Sequence, residues 1–500
     1  PLGTVVPLVY PKYKFKYDSD PVVTLQHVYD EAFPGNSTAQ VQNAAELRRV
    51  RDVSIHTEFY GRIEINKDIA APERLHEDAP IRTTAIPISN TPLVDAIMAS
   101  AKRNFNPPDL QMQNDPWAYA EYLVDKFTKF AFDPKFDETL GASYRKDPIT
   151  FNVDDYLEWR ATRDKSYLSA LEAECPEDLV ELNLEKFDTI VKKRIKPKLS
   201  TAAQFEISQP QVIVSLPKKD TAPFTSVFRR MFERFESALR PEIKSAGRMS
   251  DDDISAWLTR MGPRFEGLEC IEIDSSKYDK SQGLLARMVE ALLMIRLGLD
   301  PGVYDIFRDS YVGKVSSKAL GLMFISSYQM KSGAPQTMLG NIVYNMVSAM
   351  ECVGPSNLVL MIAKGDDNLV WITRGLNKAD VVSRMSSLFN LESKLVTGQV
   401  WYFSSGYVVP VESGYRFVPD PLKVIELLGE KGHDPRTLPE RFISFQDRVK
   451  SFVAEERVPH MLQDLVRVRT EVPDLAIVMA VDAMATIASD YTLFEKVVAS

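Results

Sequence analysis

Histidine and cysteine are scarce. Five histidines, His27, His56, His76, His433 and His460, are scattered over 500 residues and form no ligand cluster, which argues against a zinc site or a nucleophilic triad. The three cysteines, Cys175, Cys270 and Cys352, stand far apart with no Cys-x-x-Cys spacing. Free buried thiols in a reducing compartment are therefore expected, rather than a metal knuckle or redox pair. No apolar run approaches the roughly 18 residues of a membrane span, and no leader with a basic start and apolar middle opens the sequence. Asn36-Ser37-Thr38 fits a glycosylation acceptor but reads as incidental without such a leader. Internal repeats and low-complexity tracts are missing as well. The first residue is Pro1 rather than Met, and the natural protein is expected to be longer. A formal net charge of −9 argues against a generic nucleic-acid coat, yet leaves room for a basic channel within an acidic exterior.

Apolar residues are plentiful. At 45% hydrophobic, the chain supports a large core and several subdomains of about 100 to 200 residues each. Residues 1–110 mix short apolar stretches with many prolines and carry no chemical motif. Residues 115–131 open with an Asp-Pro helix start, and their aromatic face, from Trp117 to Phe130, has the spacing of a core-facing helix. Residues 156–195 are charged and largely helical in pattern. Between residues 191 and 234, ten basic residues, among them Arg194, Lys196 and Lys218, stand against Glu206, Asp220 and Glu233. They bracket a strand at 211–216 and suit a triphosphate entry path, an RNA backbone track, or equally a solvated basic face.

The organising stretch is LVLMIAKGDDNLVWIT, residues 358–373. Two apolar runs flank Gly365-Asp366-Asp367 and read as buried strands joined by a tight turn, with adjacent carboxylates at the tip. Such a tip suits magnesium, which takes a few carboxylate oxygens plus substrate phosphates, although an isolated acidic turn is also an ordinary solvated turn. Upstream, a strand at 268–273 runs into Asp274, with Asp279 about one helical turn further on and a helix expected at 284–297. Residues 331–341 form a small-residue loop entering a helix at 337–350. Ser332, Thr337 and Asn341 can approach one side of it and Ser332-Gly333 lets the backbone come close to a ligand, or the stretch is an ordinary flexible loop with a capped helix. After the acidic tip come a helix at 378–390, Lys394, a second hairpin strand at 401–409, and a mostly helical remainder broken at Pro459 and Pro473.

In this order and spacing the motifs resemble the palm signature of viral RNA-dependent RNA polymerases. Asp274 with Asp279 resembles motif A, Ser332-Gly333 with Thr337 and Asn341 motif B, and Gly365-Asp366-Asp367 motif C. Lys394 and the 401–409 strand fall where motifs D and E belong. The wording SKYDKSQ is similar to plant alphavirus-like replicases, in particular the tobamovirus and wider virgavirus group. Residues 33–38, 103–106, 212–214 and 420–423 resemble family stretches too. Ser404-Ser405 departs from relatives that carry a cysteine before the glycine, which puts the primer-gripping detail of motif E in doubt.

The resemblance implies an α+β right-hand fold with an antiparallel palm sheet. It places an N-terminal extension joining the fingers at 1–110, fingers at 111–265, a palm at 266–422 with a fingers insertion near 298–330, and a helical thumb at 423–500. It implies two-metal nucleotidyl transfer, with magnesium, or manganese in its place, held by Asp274, Asp366 and Asp367. Lys394 would protonate pyrophosphate if burial or cationic neighbours prime its amine. Asp279, Ser332, Gly333, Thr337 and Asn341 would surround the ribose, and Arg194, Lys196 and Lys218 the triphosphate or RNA. Expected partners are template RNA, nascent RNA, nucleoside triphosphates, a viral methyltransferase/helicase replicase protein and host factors. The expected location is membrane-associated replication complexes in the host cytoplasm, with membrane association indirect. The competing readings are an RNA-templated DNA polymerase and a polymerase-like RNA-binding scaffold without catalysis.

Overall fold

The computed structural model describes residues 20–33, 81–83, 115–174, 182–191, 212–317, 322–429 and 435–498. The strands among them are β1 (Lys186–Val191), β2 (Val212–Ser215), β3 (Ile243–Ser245), β4 (Leu268–Ser275), β5 (Val312–Ser317), β6 (Leu322–Ser327), β7 (Leu358–Lys364), β8 (Asp367–Thr373), β9 (Ser393–Thr397), β10 (Tyr402–Phe403), β11 (Gly406–Val411) and β12 (Gly414–Pro419).

The central sheet has the order β3-β7-β8-β4-β9. All its pairs are antiparallel except β3 with β7 at one edge. Its apolar runs are buried on both faces, and the two-residue side-chain period sorts them. Ile271, Ile273, Met361, Ala363, Val370 and Ile372 enter one core. It is shared with the helices Leu284–Arg296, Thr337–Val353 and Lys378–Phe389. Cys270, Leu360, Ile362, Leu369 and Trp371 enter a second core on the opposite face with the helix Asp251–Met261. There the rings of Phe265 and Trp371 stack at 4.6 Å. Cys270 and Cys352 are free and buried, as expected; Cys175 lies outside the described residues.

A second sheet, β2-β1-β5-β6, holds the strand expected at 211–216. Its β1 corrects the helical reading of 156–195. Helices Val153–Ala161 and Lys165–Glu174 form there, but the β-branched run Thr189-Ile190-Val191 pairs with β2 and becomes strand. The 401–409 stretch is likewise a hairpin rather than one strand. β10 and β11 meet through Ser404 and Ser405, both at positive φ (48° and 61°), the geometry of a primed two-residue turn.

The C-terminal helices Pro421–Leu428, Leu438–Phe452, Val458–Thr470, Ile477–Ser489 and Tyr491–Val498 gather around a third core. Pro459 sits in the first turn of its helix, where a missing N–H breaks no intrahelical bond. The helix Pro21–Ala32 belongs to this core and packs on Ile477–Ser489. Thus the described helix of the 1–110 segment packs with the C-terminal helices. Its stripe Leu25, Val28, Tyr29 and Ala32 has the i, i+3, i+4, i+7 spacing that such a face buries. Among the described residues no single helix is both long and apolar enough to cross a membrane.

Candidate active site

β7 and β8 close through the two-residue loop Gly365-Asp366, with Lys364 paired to Asp367. Gly365 takes φ 64°, a positive value that glycine adopts without steric cost. Asp366 and Asp367 are exposed at this tip. Below them Asn368, a buried side chain, replaces the backbone ladder between β8 and β4. It accepts from Ile273 N at 3.0 Å and donates to Ile273 O at 3.0 Å and to Asn345 Oδ1 at 2.9 Å. Asn345 in turn donates to Gly365 O at 3.1 Å and Asp367 O at 3.4 Å. The turn is thereby braced by the helix Thr337–Val353 and by β4. Ile271 is paired with Val370, and continuing that register places Asp274 opposite Asp367.

Neither Asn345 nor Asn368 was singled out from the sequence, and neither was Glu272. Glu272 lies two residues before Asp274 on β4, so strand alternation puts both side chains on one face. Burial pushes its carboxyl up to about 7; Arg469 opposes this, and Asp274 and Asp367 add to it. The alternation was visible in the sequence, but its meaning depended on knowing which face carries the carboxylates.

Lys394 stands opposite Asp274 in the β4–β9 ladder, and its Nζ lies 3.0 Å from Asp274 Oδ2. Its side chain is 71% exposed and its partner is an anion. The burial that would prime its amine for an acid role is therefore missing in this arrangement.

Asp279 and Asn341 meet as expected, with Asn341 Nδ2 donating to Asp279 Oδ1 at 2.9 Å. Thr337 and Gly333 are turned inward. Thr337 Oγ1 lies 2.8 Å from Lys331 O and 2.7 Å from Ala334 O, so its hydroxyl closes the loop. Gly333 N donates to Val214 O at 2.9 Å. A Cβ on Gly333 would overlap Ser215, so this glycine serves close approach to β2, a correction of the ligand-approach reading. Ser332 is exposed.

The basic segment disperses. Arg229 pairs with Glu158, Arg230 with Asp155, and the mostly buried Arg234 with Asp147. Lys218 Nζ lies over the Tyr167 ring, 4.7 Å from its centroid. These described cations each contact a neighbour within the fold; Arg194 and Lys196 lie outside the described residues.

The carboxylates Asp274, Asp366 and Asp367 offer only oxygen donors at an open edge, the chemistry of a hard-cation site completed by substrate oxygens. Among the described residues no group of three or more His, Cys, Asp or Glu is already arranged around a metal position.

Comparison with known proteins bears on this geometry. The chain is 29% identical over 433 residues to the replicase large subunit of Odontoglossum ringspot virus (isolate Singapore 1), covering 85% of this chain and 26% of that protein. It is 26% identical over 434 residues to the RNA-directed RNA polymerase of Barley stripe mosaic virus, covering 86% of this chain and 54% of that protein. It thus spans about a quarter of the first of these relatives and about half of the second. The crystal structure of the RNA-dependent RNA polymerase of a human picorbirnavirus shares the fold, with a TM-score of 0.50 and 14% identity over 71% of this chain and 77% of that one. A family model described as RNA dependent RNA polymerase matches residues 62–497, and the chain belongs to that family.

Proposed function

We propose that this chain is the polymerase portion of a plant-virus-type replicase, extending an RNA strand on an RNA template. The observation that carries the reading is the helix Thr337–Val353. From it Asn345 holds the carboxylate-bearing turn and Asn341, one turn away, holds Asp279. One rigid element thereby fixes both the reacting edge and the neighbouring polar group that would meet the nucleotide sugar.

Magnesium, or manganese in its place, would be held by Asp274 and Asp366 with Asp367 assisting, and supplies charge neutralisation and activation of the primer 3′-hydroxyl when bound. The chain's own residues do the positioning. Asp279 and Asn341 offer a carboxylate and an amide to the ribose 2′-hydroxyl, and a sugar lacking that hydroxyl forgoes those contacts. Lys394 holds Asp274 in place at the open edge. In this reading residues 111–265 serve as fingers, 266–422 as palm with an insertion near 298–330, and 423–500 as thumb, whose helices share one core with the helix Pro21–Ala32 and with Tyr407, Val409 and Val418. Template RNA, nascent RNA and nucleoside triphosphates are the substrates. Methyltransferase and helicase functions of a larger replicase, with host factors, are the proposed partners, at host cytoplasmic membranes reached through those partners.

The test is extension of a short primed RNA template with magnesium, given ribonucleotides or deoxyribonucleotides. Template-directed products with ribonucleotides alone support the proposal. Preference for deoxyribonucleotides would point to an RNA-templated DNA polymerase, and tight RNA binding without extension to a scaffold.

A further inference from the structure

The bond from Asn341 to Asp279 is the last link of a longer chain. Gln282, 1% exposed, donates from Nε2 to Asn341 Oδ1 at 2.7 Å. Its own Oε1 accepts from Nη2 of Arg287, which is buried as well. Arg287 Nη1 donates to Glu290 on the same helix.

A guanidinium has donors and no acceptor, which fixes the direction of everything that follows. An amide whose oxygen faces Arg287 must turn its NH2 toward Asn341. Asn341, with its oxygen thus occupied, must turn its own NH2 toward Asp279. Each donor points from a buried cation to a carboxylate, and such a chain polarises along its length.

The packing holds this chain closely. Gly340 leaves no space for a Cβ beside Glu290 Oε2 and Met330, so the helix Thr337–Val353 lies directly on the ion pair. Arg287 Nε and Glu290 Oε1 are buried without a hydrogen-bond partner. A buried pair with unsatisfied atoms is a poor source of stability, so its value at this place is directional.

We propose that Gln282 and Arg287 are positioning residues for sugar selection, fixing the amide orientation in which Asn341 and Asp279 meet the nucleotide ribose. The inference rests on the polymerase reading and deepens it.

The discriminating variant is Gln282→Glu. It still accepts from Arg287, but it presents an acceptor to Asn341, whose amide then reverses and turns its oxygen on Asp279. The ratio of kcat/KM for ATP over 2′-deoxyATP should fall by on the order of tenfold or more, mainly through a raised KM for ATP. Thermal stability should change little, because the introduced carboxylate remains beside Arg287. Gln282→Met removes both bonds without forcing the reversal, so it should lose more stability and less selectivity, a fall of about threefold. Arg287→Lys, which keeps a donor-only cation, should retain the selectivity of the intact chain.

A merely structural role predicts the opposite order, with selectivity following stability. If the intact chain selects ATP and whichever of the two Gln282 variants folds selects it equally, this inference falls and the polymerase reading stands. If the intact chain incorporates neither nucleotide, or shows no preference, the polymerase reading falls and takes the inference with it.

Discussion

Asn368→Ala removes the piece that joins the acidic turn to β4. Three hydrogen bonds go with it, to Ile273 N, Ile273 O and Asn345 Oδ1, at 3.0, 3.0 and 2.9 Å. Each leaves a buried polar group without its partner, at about 1 kcal/mol or more apiece, so a loss of about 3 kcal/mol is expected. That is within the stability of an ordinary domain, about 5 to 15 kcal/mol, and the variant should remain folded at 25 °C. Activity should suffer more. Ile273 precedes Asp274 and Asn368 follows Asp367, so a slip between the strands displaces both carboxylates, and a 1 Å error at a reacting centre costs about 100-fold. Urea unfolding followed by tryptophan fluorescence, with initial rates of nucleotide incorporation, reads both effects. A stability loss below about 1 kcal/mol with an unchanged rate would refute the bracing argument.

Gly333→Ala should destabilise by about 1 to 3 kcal/mol, because its Cβ overlaps Ser215 in β2; a thermal midpoint equal to that of the intact chain would contradict it. Ser405→Gly should stabilise by about 1 kcal/mol, because serine at φ 61° is strained where glycine is not, and an unchanged or lower midpoint counts against the turn assignment. Burial, with Arg287 adding and Glu290 opposing, holds the Lys331 amine down at about 7 from an ordinary 10.5. Between those values the folded chain binds fewer protons than the unfolded one, so this site's contribution to stability rises with pH across the window. The intact chain should therefore gain stability relative to Lys331→Met between pH 7 and 10, as read in paired unfolding midpoints; a constant difference would show that the site does not titrate there.

The sheet that carries the site was legible because its strands obey simple rules. Continuous apolar runs flank Gly365, and a run ending in Asp274 is followed by a helix. What propensity could not supply was tertiary pairing. Lys186–Val191 looks like part of a charged helical stretch until β2 and β5 are placed beside it. Asn345 and Asn368 look like ordinary polar residues until the sheet and helix bring them to 2.9 Å. The basic concentration before Arg234 was visible as charge, but the carboxylates of Asp147, Asp155 and Glu158 that neutralise it are distant in sequence. Net charge over a segment reports nothing about such partners. Gly333 shows the same limit, since a glycine that admits a ligand and one that admits a neighbouring strand are identical in sequence.

The most direct measurement is template-directed ribonucleotide incorporation with magnesium by the intact chain and by Asp366→Asn, side by side. Asp366 is exposed at the turn, so the substitution should leave stability within about 0.5 kcal/mol while abolishing incorporation. Equal incorporation by a folded Asp366→Asn would contradict the assignment of the acidic turn as the reacting centre.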